Sequence, residues 1–293
     1  VKILKVNKTT ISEPLNFKSI SKVLENEADL HSIDLVGWKK FPYQPKVDFR
    51  IAHIDSLLLL KFYVNENHIL AKRSSPNSAT HKDSCVEFFI DPNRDGNYYN
   101  FEFNCIGTTH LAYGPNRQKR TFIDKDLILD QIRVWSTLGN QIFDERSGNF
   151  NWEMVIIIPS SIFINNKNFS FKKLRANANF YKCGDETQKP HYLTWNPVET
   201  SNPDFHRPEF FGKLIEWKNI NDLISMVKKM KRGDGGLGDM FHAEALKLSK
   251  KSRAKSLASG AKNRVKYDPE KDAFIEMKSG EPAPFSASEK KAG

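Results

Sequence analysis

Cysteine is scarce and odd in number: Cys85, Cys105 and Cys183 are all that 293 residues contain. A disulfide framework needs a denser, even set, so that class of small stapled fold is excluded. No CxxC pair and no histidine-rich zinc spacing occurs, which argues against a structural metal of that kind. Long apolar runs are missing too. The longest, LLLLKFYV at 57–64, is interrupted by Lys61 and falls well short of the roughly 18 residues read as a membrane span. VKILKVNK has neither an initiating methionine nor a signal-peptide pattern. A removed leader would place the protein in the periplasm or outside the cell; otherwise the unpaired thiols fit the cytoplasm.

Strong net charge is missing from most of the chain as well. The total of +10 points to an anionic partner until its location is read. Residues 218–293 hold 17 of the 45 Lys+Arg and 10 of the 35 Asp+Glu, leaving 28 against 25 in residues 1–217. The body is nearly neutral and the basicity belongs to a tail. Two domains are therefore expected, 1–217 and a basic low-complexity extension, 218–293.

What the body does contain is β-branched and aromatic residues in short runs separated by turn residues. KILKV, KVDFRIAHI, SLLLLKFYV, HILAKR, SCVEFFID, YNFEFNCI, THLAY, QIRVWST, FNWEMVIII, FSFKKL, NANFYKC, HYLTW and FGKLIEW read as strands. Their number and spacing predict an all-β fold, an antiparallel sandwich of jelly-roll type, with one short helix at 19–28. Trp152, Met154 and Trp217 fall in core-like strand contexts. The tail is expected to be partly helical, at 219–232 and again near FHAEALKLSKKSRAKSL, and otherwise disordered.

Residues 83–107, DSCVEFFIDPNRDGNYYNFEFNCIG, make a hairpin whose register follows from burial. A slip by one residue would put one apolar set in water. Val86 therefore pairs with Phe103, Phe88 with Phe101 and Ile90 with Tyr99. Glu87 then faces Glu102 and Cys85 faces Asn104, while Cys105 falls on the other side of the sheet from Cys85. Two facing glutamates are costly unless a cation or a polyhydroxyl ligand satisfies them. This polar face is either a binding surface or a solvated exterior. The turn matches the D-x-N-x-D-G-x5-E pattern, with Asp91, Asn93, Asp95 and Glu102 as oxygen ligands for calcium. Strands flank it where a calcium loop of that kind has helices, so a plain Asn/Asp/Gly turn is the competing reading.

DSCVEFFIDP, YYNFEFNCIGT, NFYKCGD, YLTWNP and FHRPEFFGKLI together resemble the family 9 carbohydrate-binding modules, in the family-9-like form common in Bacteroidetes and related to the DOMON sandwiches. The resemblance covers residues 1–217 and none of 218–293. It implies a non-catalytic β-sandwich that grips a sugar or chain end, with no required cofactor, in the service of carbohydrate catabolism. It implies that His81 stands where such modules carry a stacking Trp, that Glu87 bonds sugar hydroxyls, and that Trp195 is a second platform.

The residue types agree with that implication. Sugars offer apolar C–H faces for aromatic rings and a rim of hydroxyls for carboxylates and amides. Trp195, Asn196, Glu87, Glu102 and Asn104 are such groups, although a core place suits Trp195 equally. KCGD and FHRPEFF carry further polar clusters. Gly184 is expected to supply a positive φ, and Lys182 and Arg207 are read either as structural or as hydroxyl donors at a ligand rim.

Glycoside hydrolysis by Glu87 and Glu102 fits poorly, because both project from neighbouring strands on one side. Haem ligation would need Met or His, and of the five methionines only Met154, in a core-like strand, lies in the body. The rival class is an interaction scaffold whose basic tail, 218–293, takes an anionic partner such as nucleic acid or the ribosome. Nothing in the sequence sets the oligomeric state.

Overall fold

The computed structural model describes residues 1–11, 15–216 and the backbone of 264–268 and 273–277. The chain divides into two compact units, Val1–Trp217 and Lys218–Gly293. The helices expected in the tail, and Trp217, lie outside the described residues.

In the first unit the strands run, in chain order, β1 (Ile3–Lys5), β2 (Asn7–Lys8), β3 (His31–Ser32), β4 (Leu35–Val36), β5 (Lys46–His53), β6 (Leu57–Ala71), β7 (Cys85–Asp91) and β8 (Tyr98–Asn104). They continue with β9 (Thr109–Gly114), β10 (Thr121–Phe122), β11 (Arg133–Ser136), β12 (Phe143–Pro159), β13 (Arg175–Cys183), β14 (Tyr192–Thr194) and β15 (Gly212–Ile215). Two helices interrupt them, α1 (Phe17–Glu27) and α2 (Lys125–Gln131). A nine-stranded sheet has the order β1-β15-β13-β7-β8-β9-β10, with β14 bridging β13 and β4. A six-stranded sheet has the order β11-β12-β6-β5-β2, with β3 on β5. The arrangement is a β-sandwich, antiparallel except where β1 meets β15 and β2 meets β5.

Alternation decides the layering. Val86, Phe88 and Ile90 of β7, Tyr99, Phe101 and Phe103 of β8, and Phe180 of β13 meet Phe49, Leu60, Phe62, Trp152 and Met154 in one core between the sheets. Period-two spacing puts each set on one face. The β7–β8 register is the one burial predicts, including Glu87 opposite Glu102 and Cys85 opposite Asn104. On the outside of the smaller sheet, α1 lays Ile20 and Leu24 on Ala52, Leu59, Val155 and Ile157. Its first turn is closed by a capping box between Asn16 and Ser19.

Three expectations need correction. SLLLLKFYV and HILAKR are one continuous strand, β6, because the polar break Asn65-Glu66-Asn67 turns Glu66 inward. There Lys182 meets its carboxylate at 2.9 Å and the Trp152 indole donates to it at 2.8 Å. FSFKKL forms turns, not a strand, with Phe169 and Phe171 packed on Phe163. In the second unit β16 (Arg264–Asp268) and β17 (Ala273–Met277) pair antiparallel, where helix or disorder was expected.

Candidate functional site

The outer face of the nine-stranded sheet is neither an open surface nor a solvated exterior. Phe89, Tyr98, Tyr181, Cys85 and Cys183 project from it and are covered by Trp38, Val198, Phe205 and Phe211 from the connecting segments. Under that roof a cavity of about 210 Å³ remains. Its floor is Glu87 of β7, Glu102 of β8 and Cys183 of β13. Its walls are His81, Asp185, Arg117, Arg120 and His206, and its aromatic side is Phe41, Tyr192 and Phe205. Arg117, Pro203 and His206 also line an adjoining groove that runs past Asn116 and Arg207.

Each wall is held by the local chain. His81 sits in the short 3-10 turn Thr80–Lys82, and that turn is clamped from the other side: Asp185 and Glu186 donate their backbone N–H to the carbonyls of His81 and Lys82. Asp83, fully buried, accepts from the backbone of Lys72 and Arg73, from the Arg73 guanidinium and from Asn104. This ties the start of β7 to the end of β6. Tyr192 packs edge-on against Phe41 with ring centres 4.9 Å apart, so the aromatic side is a braced pair. Gly184 does not use a positive φ. It is kept small by crowding, since a Cβ there would lie 2.7 Å from His191 and 2.9 Å from Thr187.

The two facing glutamates, each only 2% exposed, are in different protonation states. Burial pushes the Glu87 carboxyl well above the usual carboxylate range, and the charge of Glu102 adds to that. Cys183 Sγ donates to its Oε1 at 3.1 Å. Burial opposes the charge on Glu102 also. His110 is the first group to offset it but is itself driven toward its neutral form by burial, so the hydrogen bond and charge of His81 are what hold the carboxyl below its ordinary range. Thr80 Oγ1 and Asn100 Nδ2 donate to Glu102 at 3.0 and 2.9 Å, and His81 Nδ1 lies 3.6 Å away. That contact raises the pKa of His81. His206, driven down to about 3 by burial and by Arg120, is a neutral acceptor. Arg120 donates to its Nε2 at 3.3 Å and Tyr98 lies 2.8 Å from its Nδ1. The cavity thus offers an acid pushed toward its neutral, donating form, an ionised acid that accepts, an imidazole that holds its proton more tightly than usual and two guanidinium groups.

Of the residues expected to form the site, His81, Glu87 and Glu102 meet in the cavity. The others do not. Trp195 is packed inside, edge-on to Phe180, with Gly212 against its ring. Lys182 points between the sheets and holds Glu66, both fully buried. Asn104 braces a turn, bonding the carbonyl of Arg73 and the N–H of Thr108. Asn196 ties Lys2 N–H to the Phe210 carbonyl. Arg207 pairs with Glu209 at 2.6 Å beside the outer groove. The calcium set is not assembled either. Asp91 stands four residues from Glu87 along β7, about 13 Å at strand rise, whereas Glu102 lies beside Glu87. Asp91 accepts the backbone N–H of Arg94, Asp95 and Gly96, which is turn chemistry. Gly96, at φ 88°, completes that turn. Phe41, Arg117 and Arg120 went unread because they come from segments without a local motif, whereas YLTWNP brings its Tyr192, not its Trp195, to the cavity. FHRPEFF did carry a signal, but the residues it delivers are Phe205 and His206.

The sequence model for Carbohydrate-binding family 9 matches residues 19–215. A crystal structure of a "putative carbohydrate-binding protein" from Bacteroides uniformis ATCC 8492 is 37% identical, with a TM-score of 0.71, over 74% of this chain and 99% of that one. Two structures of a family 9 carbohydrate binding module from Caldicellulosiruptor kristjanssonii are 13% and 14% identical, with TM-scores of 0.46 and 0.48. The first is in complex with glucose and the second with cellotriose; they cover 74% and 75% of this chain and 96% of theirs. No curated protein matches the chain.

Proposed function

The chain belongs to carbohydrate-binding family 9, and on that premise we propose that the cavity over Glu87 and Glu102 takes the end of a carbohydrate chain and holds it without cleaving it. The observation that carries this reading is the pairing of a braced aromatic wall, Phe41 with Tyr192, with a floor of hydrogen-bonding carboxyls in one enclosed space. An aromatic side matches the apolar C–H face of a pyranose, and the floor matches its hydroxyls. At about 210 Å³ the cavity is smaller than the ~300–1,000 Å³ usual for drug-sized ligands, which fits one sugar unit with its chain leaving along the outer groove. Binding without turnover follows from the position of the acids. Both rise from adjacent strands on one wall, whereas glycoside cleavage needs them on either side of the scissile bond.

The test is a glycan array followed by calorimetric titration of the best ligand, with a reducing-end assay in parallel. Saturable binding to oligosaccharide ends, weakened about tenfold or more in Tyr192→Ala, is the expected result. No array signal, or release of new reducing ends, overturns the reading.

A further inference from the structure

Two of the three cysteines, 98 positions apart in sequence, stand directly opposite one another where β13 pairs with β7, Cys183 against Cys85. Glu87 lies two residues along β7 on the same face. The two sulfurs and a Glu87 carboxylate oxygen all fall within 4.8 Å of one another, the Cys183–Glu87 contact being 3.1 Å. Cys85 is fully enclosed, while Cys183 and Glu87 border the cavity. We propose that Cys85, Cys183 and Glu87 form a site for a thiophilic divalent cation, zinc by preference, with the fourth coordination position facing the cavity.

The donor set selects the ion. Two thiolates favour a soft or borderline metal over calcium or magnesium, and zinc accepts sulfur with one carboxylate oxygen. At a Zn–S distance of about 2.3 Å, a tetrahedral ion sets its two sulfurs about 3.8 Å apart, within reach by side-chain rotation alone. Three protein ligands with one open position is the pattern of zinc sites that keep a water or take a substrate atom. The step exchanges protons only: two leave the thiols, one leaves the Glu87 carboxyl, and no electrons move. Three anionic donors exceed the ion's charge by one, and His81 and Arg120 on the same cavity wall offset that excess. Because protons are released, affinity rises with pH. Cys105 takes no part, since its sulfur sits on the other side of the sheet against the carbonyl of Leu70. The site does not depend on the carbohydrate reading, which uses the same floor but none of this coordination.

The experiment loads the full chain with zinc under a phosphine reductant and dialyses it. Metal content is then measured, and an X-ray absorption spectrum is taken at the zinc edge. The expected result is one zinc per chain with two sulfur neighbours near 2.3 Å. In Cys183→Ser retention should weaken by at least the roughly 100-fold that loss of an outer-shell partner alone can cost, while Cys105→Ser behaves as the parent. No retained zinc, a shell of nitrogen and oxygen only, or an unchanged Cys183→Ser overturns the proposal. The spectrum of the unmutated chain decides it even if a variant folds poorly. A sugar titration on metal-free samples, in which Glu87 keeps its proton, is read separately, so either reading can fail without the other.

Discussion

Glu87 and Glu102 show how two identical side chains, paired across one ladder, take opposite chemical roles. Glu102 is surrounded by donors and stays ionised; Glu87, beside a thiol and that negative charge, keeps its proton. Glu87→Gln therefore preserves the donor and should change sugar affinity by less than about threefold. Glu102→Gln removes the charge that Thr80, Asn100 and His81 are arranged around. A hydrogen bond to a charged group is worth roughly 1.5–3 kcal/mol, so affinity should drop by about 10- to 100-fold in calorimetry. Equal losses in the two variants would contradict the protonation assignment. The pH dependence has a definite sign. The folded pKa of His81 lies above the ordinary 6.5, so its proton stabilises the folded cavity fully below 6.5. That contribution is lost as the pH rises through the raised value. Sugar binding should weaken on that alkaline limb, and His81→Gln should flatten it.

At the scale of elements, what was legible depended on whether the partner is local. The β7–β8 register could be read because both strands alternate strictly and only one pairing buries both apolar sets. Glu66 and Lys182 could not be read from their own strands, since each finds its partner on a strand far along the chain. Trp195, just past β14, was left between core and platform until Phe180 and Gly212 closed on it. Lys182 on β13 reaches Glu66 on β6 across the full depth of the sandwich. Breaking a buried pair by removing one member leaves an uncompensated charge, at a cost of about 3–5 kcal/mol. Lys182→Met should lose that much in urea denaturation. Lys182→Met combined with Glu66→Gln should recover most of it, because a glutamine oxygen still accepts from Trp152. Gly212 on β15 tests the place of Trp195 in the same way. A Cβ there would sit 2.3 Å from the indole, so Gly212→Ala should overpack the core by about 1–3 kcal/mol. If Gly212→Ala were neutral, both Trp195 and the Lys2 carbonyl, which lies 2.9 Å from the same Cβ position, would have to be free to move.

At the scale of the molecule, the site is assembled from segments that no single motif spans. Sheet strands give the floor: Glu87, Glu102 and Cys183. Connections give the walls and roof: His81 in the 3-10 turn, Arg117 and Arg120 after β9, and Pro203, Phe205 and His206 before β15. The floor was legible because alternation dictates it. The roof was not, since a connection's path over a sheet is set by long-range contacts such as Tyr181 bonding the Phe205 carbonyl. Every one of these residues lies in the unit Val1–Trp217, which also holds both packed sheets. A chain ending at residue 217 should therefore keep the parent's sugar affinity within about twofold and its cooperative melting, although it sheds 17 of the 45 basic residues. The salt dependence of sugar binding should be unchanged as well, because a neutral ligand in an enclosed pocket releases no counterions. Calorimetry of both lengths at two salt concentrations checks this. A shorter chain that folds but binds weakly would mean that residues beyond 217 complete the cavity, and a steep salt dependence in the full chain alone would show the basic extension taking part in ligand capture.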